Sequence, residues 1–107
     1  MIIIQYTLSI PREKQTDFIR YSREVLAPTW KKYGCKRYEC AKVEDQKLVD
    51  RQALEQNRFI ERLYFENDFN IRKFYNDARQ NDPEITKAYE VKFNARQIEL
   101  RILKQLV

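Results

Sequence analysis

Ile2-Ile3-Ile4-Gln5-Tyr6-Thr7-Leu8-Ser9-Ile10-Pro11 opens the chain on a two-residue period and then ends it. Ile2, Ile4, Tyr6, Leu8 and Ile10 share one parity, and Ile3, Gln5, Thr7 and Ser9 share the other, as in a half-buried strand. Pro11 lacks the N–H a ladder needs but suits the first turn of a helix. From Pro11 to Tyr33 the period is helical, with Phe18, Ser22, Val25, Leu26 and Thr29 as the buried stripe and Ile19 and Tyr21 beside it. Pro28 should break or kink this helix after Leu26. A last turn restarts at Pro28 and ends at Gly34, the only glycine, as a left-handed cap.

Two strand-like runs follow, Cys35 to Val43 and Arg58 to Phe65. A second helical region extends from Phe69 to about Phe93. Asp68 is one cap, ahead of Ile71, Phe74, Tyr75 and Ala78. Asp82-Pro83-Glu84 is another, ahead of Ile85, Ala88, Tyr89 and Phe93. Ile98 to Val107 closes the chain as a strand. The order is β-α-β-β-α-β, so the expected class is α+β: a ferredoxin-like antiparallel four-stranded sheet with helices on one face. The other face must then be wet, bind something or pair with another chain. All strands carry apolar residues on both parities, which predicts a homodimer. Glu44 to Asn57 is polar, charged and without alternation. It is expected to be the most mobile part outside the termini, with a lid as one reading.

A length of 107 residues indicates one domain, residues 1–107. An apolar fraction of 43%, with six Phe, seven Tyr and one Trp, is enough for a core. No run reaches the roughly 18 apolar residues of a membrane span. The start alternates and lacks a basic region, so it reads as a strand rather than a signal peptide, and the expected location is cytoplasmic. Cys35 and Cys40, five apart on one predicted strand, should face opposite ways and stay reduced; an activated Cys35 beside Lys36 and Arg37 is the alternative. Without histidine, they do not make a metal site.

The net charge is +5 at pH 7. Much of the excess lies at Lys31, Lys32, Lys36, Arg37 and Lys42, interleaved with Trp30, Tyr33 and Tyr38, a mixture that can hold phosphates and stack bases. The RNA-recognition motif shares this topology but needs a glycine-aromatic pattern on its third strand. Here that strand has no glycine and Glu61 at its middle, so nucleic acid is not an expected partner. Glu39, Glu61 and Glu99 lie within predicted strands, near Arg37, Arg62 and Arg101. Glu61 shares parity with Phe59, Leu63 and Phe65 and should be at least partly buried. A buried carboxylate must meet a cation, accept hydrogen bonds or hold a proton. An ordinary ion pair is the favoured reading; a general base of raised pKa is the sharper one.

Three segments resemble antibiotic-biosynthesis-monooxygenase-like proteins. Gly34-Cys35-Lys36-Arg37-Tyr38-Glu39 is similar to their GC-x-x-Y start of the second strand. Asn57-Arg58-Phe59 opens a stretch, running to Asn67, that resembles their N-R-F third strand. Phe69 to Tyr89 resembles the helix that follows. The resemblance implies a dimeric α+β barrel in which two sheets pack face to face. It also implies cofactor-independent oxygenation of polycyclic phenols or quinols. A related haem-degrading branch uses Asn, Trp and His where this chain has Gln5, Phe65 and Tyr89, which speaks against haem chemistry here. On this reading Glu61 is the catalytic candidate, Gln5, Phe65, Tyr75 and Tyr89 contact an aromatic substrate, and no metal or cofactor is needed. The alternative is a dimeric binding or regulatory protein that uses the same pocket without turnover.

Overall fold

A computed structural model describes residues 1–44 and 57–107. The expectation of a mobile segment or lid falls on 45–56, outside the described residues. The strands are β1 (Ile2–Ser9), β2 (Arg37–Lys42), β3 (Arg58–Phe65) and β4 (Arg96–Lys104), in the antiparallel order β2-β3-β1-β4. This is the ferredoxin-like α+β fold expected. No helix among the described residues is long and apolar enough to cross a membrane.

Strand parity decides the layers. Ile4 and Leu8 of β1 and Phe59, Leu63 and Phe65 of β3 are buried under the helices. Gln5, Thr7, Arg62 and Tyr64 project from the opposite face, which follows from the alternation of side chains across a strand. β4 lies at the sheet edge, where the helices do not reach. Leu100 and Ile102, paired with Tyr6 and Ile4, therefore remain 43% and 52% exposed although they share the helix-side face.

The first helical segment changes character after Leu26, where Pro28 predicts a disruption. A 3-10 turn, Arg12–Lys14, leads into α1 (Gln15–Tyr21); a π turn, Ser22–Leu26, joins it to α2 (Ala27–Lys32). Pro28 sits in the first turn of α2, so the wider π turn just before it takes up the disruption. Phe18, Ser22 and Leu26 are buried as expected; Ile19 is exposed, and Gln15 and Trp30 are buried instead. Gly34 has φ +101°, and a Cβ there would lie 2.7 Å from Phe69 Cε2.

The second helical region divides into α3 (Ile71–Asn81) and α4 (Pro83–Val91). Asn70, not Asp68, caps α3, accepting the Lys73 N–H at 3.0 Å. Asp82 precedes Pro83 as expected, but its side chain does not cap α4. Lys32 donates to it at 2.8 Å and the Tyr33 hydroxyl also donates to it, tying the end of α2 to the α3–α4 joint. Both contacts hold Asp82 below the usual aspartate range.

β2 begins at Arg37, so Cys35 is in the turn before it. The five-residue parity argument therefore fails, and both cysteines lie on the core side: Cys35 is buried and Cys40 packs against the same cluster. Burial raises the Cys35 thiol pKa, and the thiol donates to the Arg37 carbonyl. The activated reading of Cys35 does not fit that environment.

Candidate active site

Register builds the site around Glu61. On β3 it lies opposite Tyr6 of β1 on one side and Cys40 of β2 on the other. Directly opposed residues share a sheet face, so all three point to the helices. Tyr38, two residues from Cys40 along β2, joins them, and α4 brings Tyr89 from above. Glu61 is 1% exposed. Its Oε2 accepts hydrogen bonds from the Tyr38 hydroxyl and, at 3.1 Å, from the Tyr89 hydroxyl. Its Oε1 is buried without a protein partner among the described residues.

The favoured ion pair is absent among the described residues. Arg62, the adjacent arginine, has the opposite parity and donates from Nε to Gln5 Oε1 at 2.8 Å on the far face. Arg37 pairs with Glu39 at 2.8 Å, and Arg101 with Glu99. The expectation of opposite charges in pairs thus holds for the outer-face carboxylates and fails for the buried one. Burial raises the Glu61 pKa to about 7, against the pull of the Tyr38 and Tyr89 hydrogen bonds. Burial and the Glu61 charge together raise Tyr38 and Tyr89. These phenols stay protonated at neutral pH and serve as donors.

Glu61 borders a cavity of about 680 Å³ between the sheet and α3–α4. That size suits a polycyclic ligand. Tyr6, Trp30, Tyr75 and Tyr89 give its wall aromatic character, and the Tyr6 and Tyr75 hydroxyls bond to each other. Burial raises both of these tyrosines as well. The Trp30 indole N–H approaches Tyr89, easing its upward shift, but makes no hydrogen bond of proper geometry. The cavity thus borders one buried acceptor, Glu61 Oε1, and one buried donor, Trp30 Nε1, neither with a partner among the described residues. A β-bulge shapes the floor: the register slips between Thr7 and Leu8, so Ile98 loses its partner and Gln97 pairs with Leu8 beneath the cavity.

Of the residues singled out from sequence, Glu61, Tyr75 and Tyr89 meet at this cavity. Gln5 and Phe65 lie outside it. Gln5 has the odd parity of β1 and faces away from the helices, on Arg62. Phe65 has the helix-side parity but ends β3 beyond the cavity, stacked on Phe69 with centroids 4.1 Å apart and against Phe74. Tyr6 and Trp30, which line the cavity, and Tyr38, which bonds Glu61, carry no pocket role in the sequence reading. The signal for Tyr6 was its place among the isoleucines and leucines of the buried parity; a hydroxyl there needs a partner. Trp30 and Tyr38 belonged to the basic aromatic cluster, but Trp30 is buried and the Tyr38 hydroxyl bonds Glu61, so neither ring is a free stacking platform.

No family model and no curated protein matches the sequence. Solved structures do match. HapK from Hahella chejuensis superposes with TM-score 0.71 at 14% identity, over 99% of this chain and 93% of that one. A "putative antibiotic biosynthesis monooxygenase" from Deinococcus radiodurans gives TM-score 0.63 at 14% identity, over 100% and 94%. A dimeric ferredoxin-like protein from an uncultured marine organism gives 0.61 at 11%, over 99% and 98%. The chain is therefore similar over its whole length to proteins of the ferredoxin-like, antibiotic-biosynthesis-monooxygenase-like fold, the fold its strand motifs resemble.

Proposed function

We propose that this chain is a cofactor-independent monooxygenase for phenolic aromatic small molecules, acting as a homodimer. The observation that carries the reading is the buried Glu61 carboxylate, raised to about 7, whose Oε1 has no partner among the described residues at an aromatic-walled cavity. Its pKa lies close to working pH, as a general base requires. Oε1 takes the proton of a bound phenol, while Tyr38 and Tyr89 hold Oε2. The phenolate pushes electron density to its para carbon, which forms a C–O bond to dioxygen and gives a peroxide. The para C–H proton passes to the terminal peroxide oxygen as the para C=O forms, the O–O bond breaks and hydroxide leaves. Glu61 returns its proton to that hydroxide. The balance is phenol plus O2 giving quinone plus water, with all electrons drawn from the substrate.

The dimer reading rests on the uncovered Leu100 and Ile102 and on the apolar Ile60, Tyr64 and Leu103 of the outer sheet face. It is also supported by similar proteins described as dimeric. A dimer of this type buries more than about 2,000 Å² in total. Light scattering at micromolar concentration should give twice the chain mass, and a monomer refutes this part. The free cysteines suit a reducing, cytoplasmic setting.

Oxygen uptake tests the chemistry. 1-Naphthol and tricyclic phenols with a free para C–H are screened for binding without oxygen, and those that bind are then exposed to it. The wild type should consume one O2 per quinone formed, and Glu61→Gln should bind the same phenols without consuming oxygen. Turnover that survives Glu61→Gln removes Glu61 as base. Phenols that bind and come back unchanged replace catalysis with the binding or regulatory reading.

A further inference from the structure

The cavity has a second chemical end that oxygenation does not require. Arg79, one turn after Tyr75 on α3, borders it while remaining exposed, and so marks its mouth. Its guanidinium is close enough to Tyr75 to act on that hydroxyl. Lys73, in the same helix, is paired with Asp77 at 2.8 Å; Arg79 has no carboxylate partner among the described residues. Arg96 adds a second positive charge at the cavity edge, and Glu90 a single negative one. The other polar residues at the edge, Thr86, Asn94 and Gln97, are neutral. Among the described residues the mouth is therefore net cationic, while the inner end presents Glu61 Oε1, an acceptor without a partner there.

We propose that the cavity selects hydroxyaryl carboxylates, with the phenol on Glu61 Oε1 and the carboxylate at the mouth on Arg79. The inference rests on the phenol reading above for the inner end and adds the acid at the outer end. A guanidinium recognises a planar carboxylate with paired N–H donors. Arg96 contributes attraction at longer range, and Glu90 opposes it. A neutral phenol of the same ring size fills the aromatic part of the cavity but leaves Arg79 unsatisfied. The phenol–acid axis also orients the ring system, so that the same edge always faces Glu61.

The test is anaerobic equilibrium binding of four probes to the full chain: 5-hydroxy-2-naphthoate, its methyl ester, 1-naphthol and 2-naphthoate, the three phenols each keeping a free para C–H. The hydroxy acid should bind about tenfold or more tighter than 1-naphthol and the ester, as a charged hydrogen bond implies. Binding of 2-naphthoate should be weaker than that of the hydroxy acid, because the phenol is missing. The preference for acid over ester should shrink toward one in Arg79→Gln, shrink less in Arg96→Gln and grow in Glu90→Gln. These positions are exposed, and a thermal melt of each variant checks folding. Equal affinity of wild type for acid and ester overturns the proposal. So does failure of the hydroxy acid to bind, or an acid preference that survives Arg79→Gln. Because no oxygen is present, the two readings fail separately: an acid preference without turnover removes only the oxygenase, and turnover of neutral naphthols without a preference removes only the acid site.

Discussion

Replacing Glu61 by glutamine is the perturbation with the most calculable consequence. The side chain is wholly buried and no cation among the described residues meets it, so its proton affinity reflects burial opposed by two tyrosine hydroxyls. A tenfold change in proton affinity is worth about 1.4 kcal/mol. A rise from the ordinary 4.5 to about 7 therefore makes the ionised carboxylate cost about 3 kcal/mol of folding stability well above neutrality. The sign follows from proton binding. Between 4.5 and about 7 the folded chain holds this proton and the unfolded chain does not. Stability is therefore full below the lower value, falls as pH rises through the window and is flat beyond it. Glutamine cannot ionise, and its amide oxygen still accepts from Tyr38 and Tyr89. Its new N–H2 group lacks a protein partner, which returns part of the gain. The expected result is a variant more stable than wild type by about 1–3 kcal/mol near pH 8, an advantage that falls by about 3 kcal/mol toward pH 4.5, where the variant is no more stable than wild type. Urea unfolding at one protein concentration across that range measures it, and the wild-type-minus-variant difference cancels the other titrating groups. A variant that loses about 3–5 kcal/mol near pH 8 would show that a cation pairs with Glu61. A pH-independent difference would show that the carboxylate is not desolvated.

Other sites give simpler outcomes. Gly34→Ala combines φ +101° with a Cβ 2.7 Å from the Phe69 ring and should destabilise by about 1–3 kcal/mol, read as a lower urea midpoint. Phe65→Ala empties a core position stacked on Phe69 and should cost about 3–5 kcal/mol. Because Phe65 lies outside the cavity, Phe65→Leu should leave naphthol affinity unchanged in titration calorimetry. Asp82, held below its usual range by Lys32 and Tyr33, contributes stability that is present above 3.8 and lost as pH falls through its lower folded value. Asp82→Asn should therefore lower the melting temperature at neutral pH but not in strong acid. Ile102→Glu places a charge on the uncovered β4 edge and should shift the light-scattering mass toward the monomer.

The parts of this protein legible in its sequence are those written in local period. Alternation in Ile2 to Ile10 and in Arg58 to Phe65 assigned each side chain to a face, so Glu61 could be placed with Phe59 and Leu63 before its surroundings were known. The lone glycine marked the cap at Gly34 because no other residue occupies that backbone region as cheaply. Caps and partners were less legible, because several residues compete for each role and the winner depends on distant atoms. Asp82 precedes α4 but is taken by Lys32 and Tyr33 from α2. Arg62 adjoins Glu61 in the chain yet lies on the other side of the sheet. The candidate site depended most on tertiary structure. Strand order β2-β3-β1-β4 set Tyr6 and Cys40 on either side of Glu61, and helix packing delivered Tyr75 and Tyr89. Parity states which way a side chain points. What it meets there is decided by pairings between segments far apart in sequence, and for Glu61 those supplied tyrosine hydroxyls and a cavity in place of an arginine.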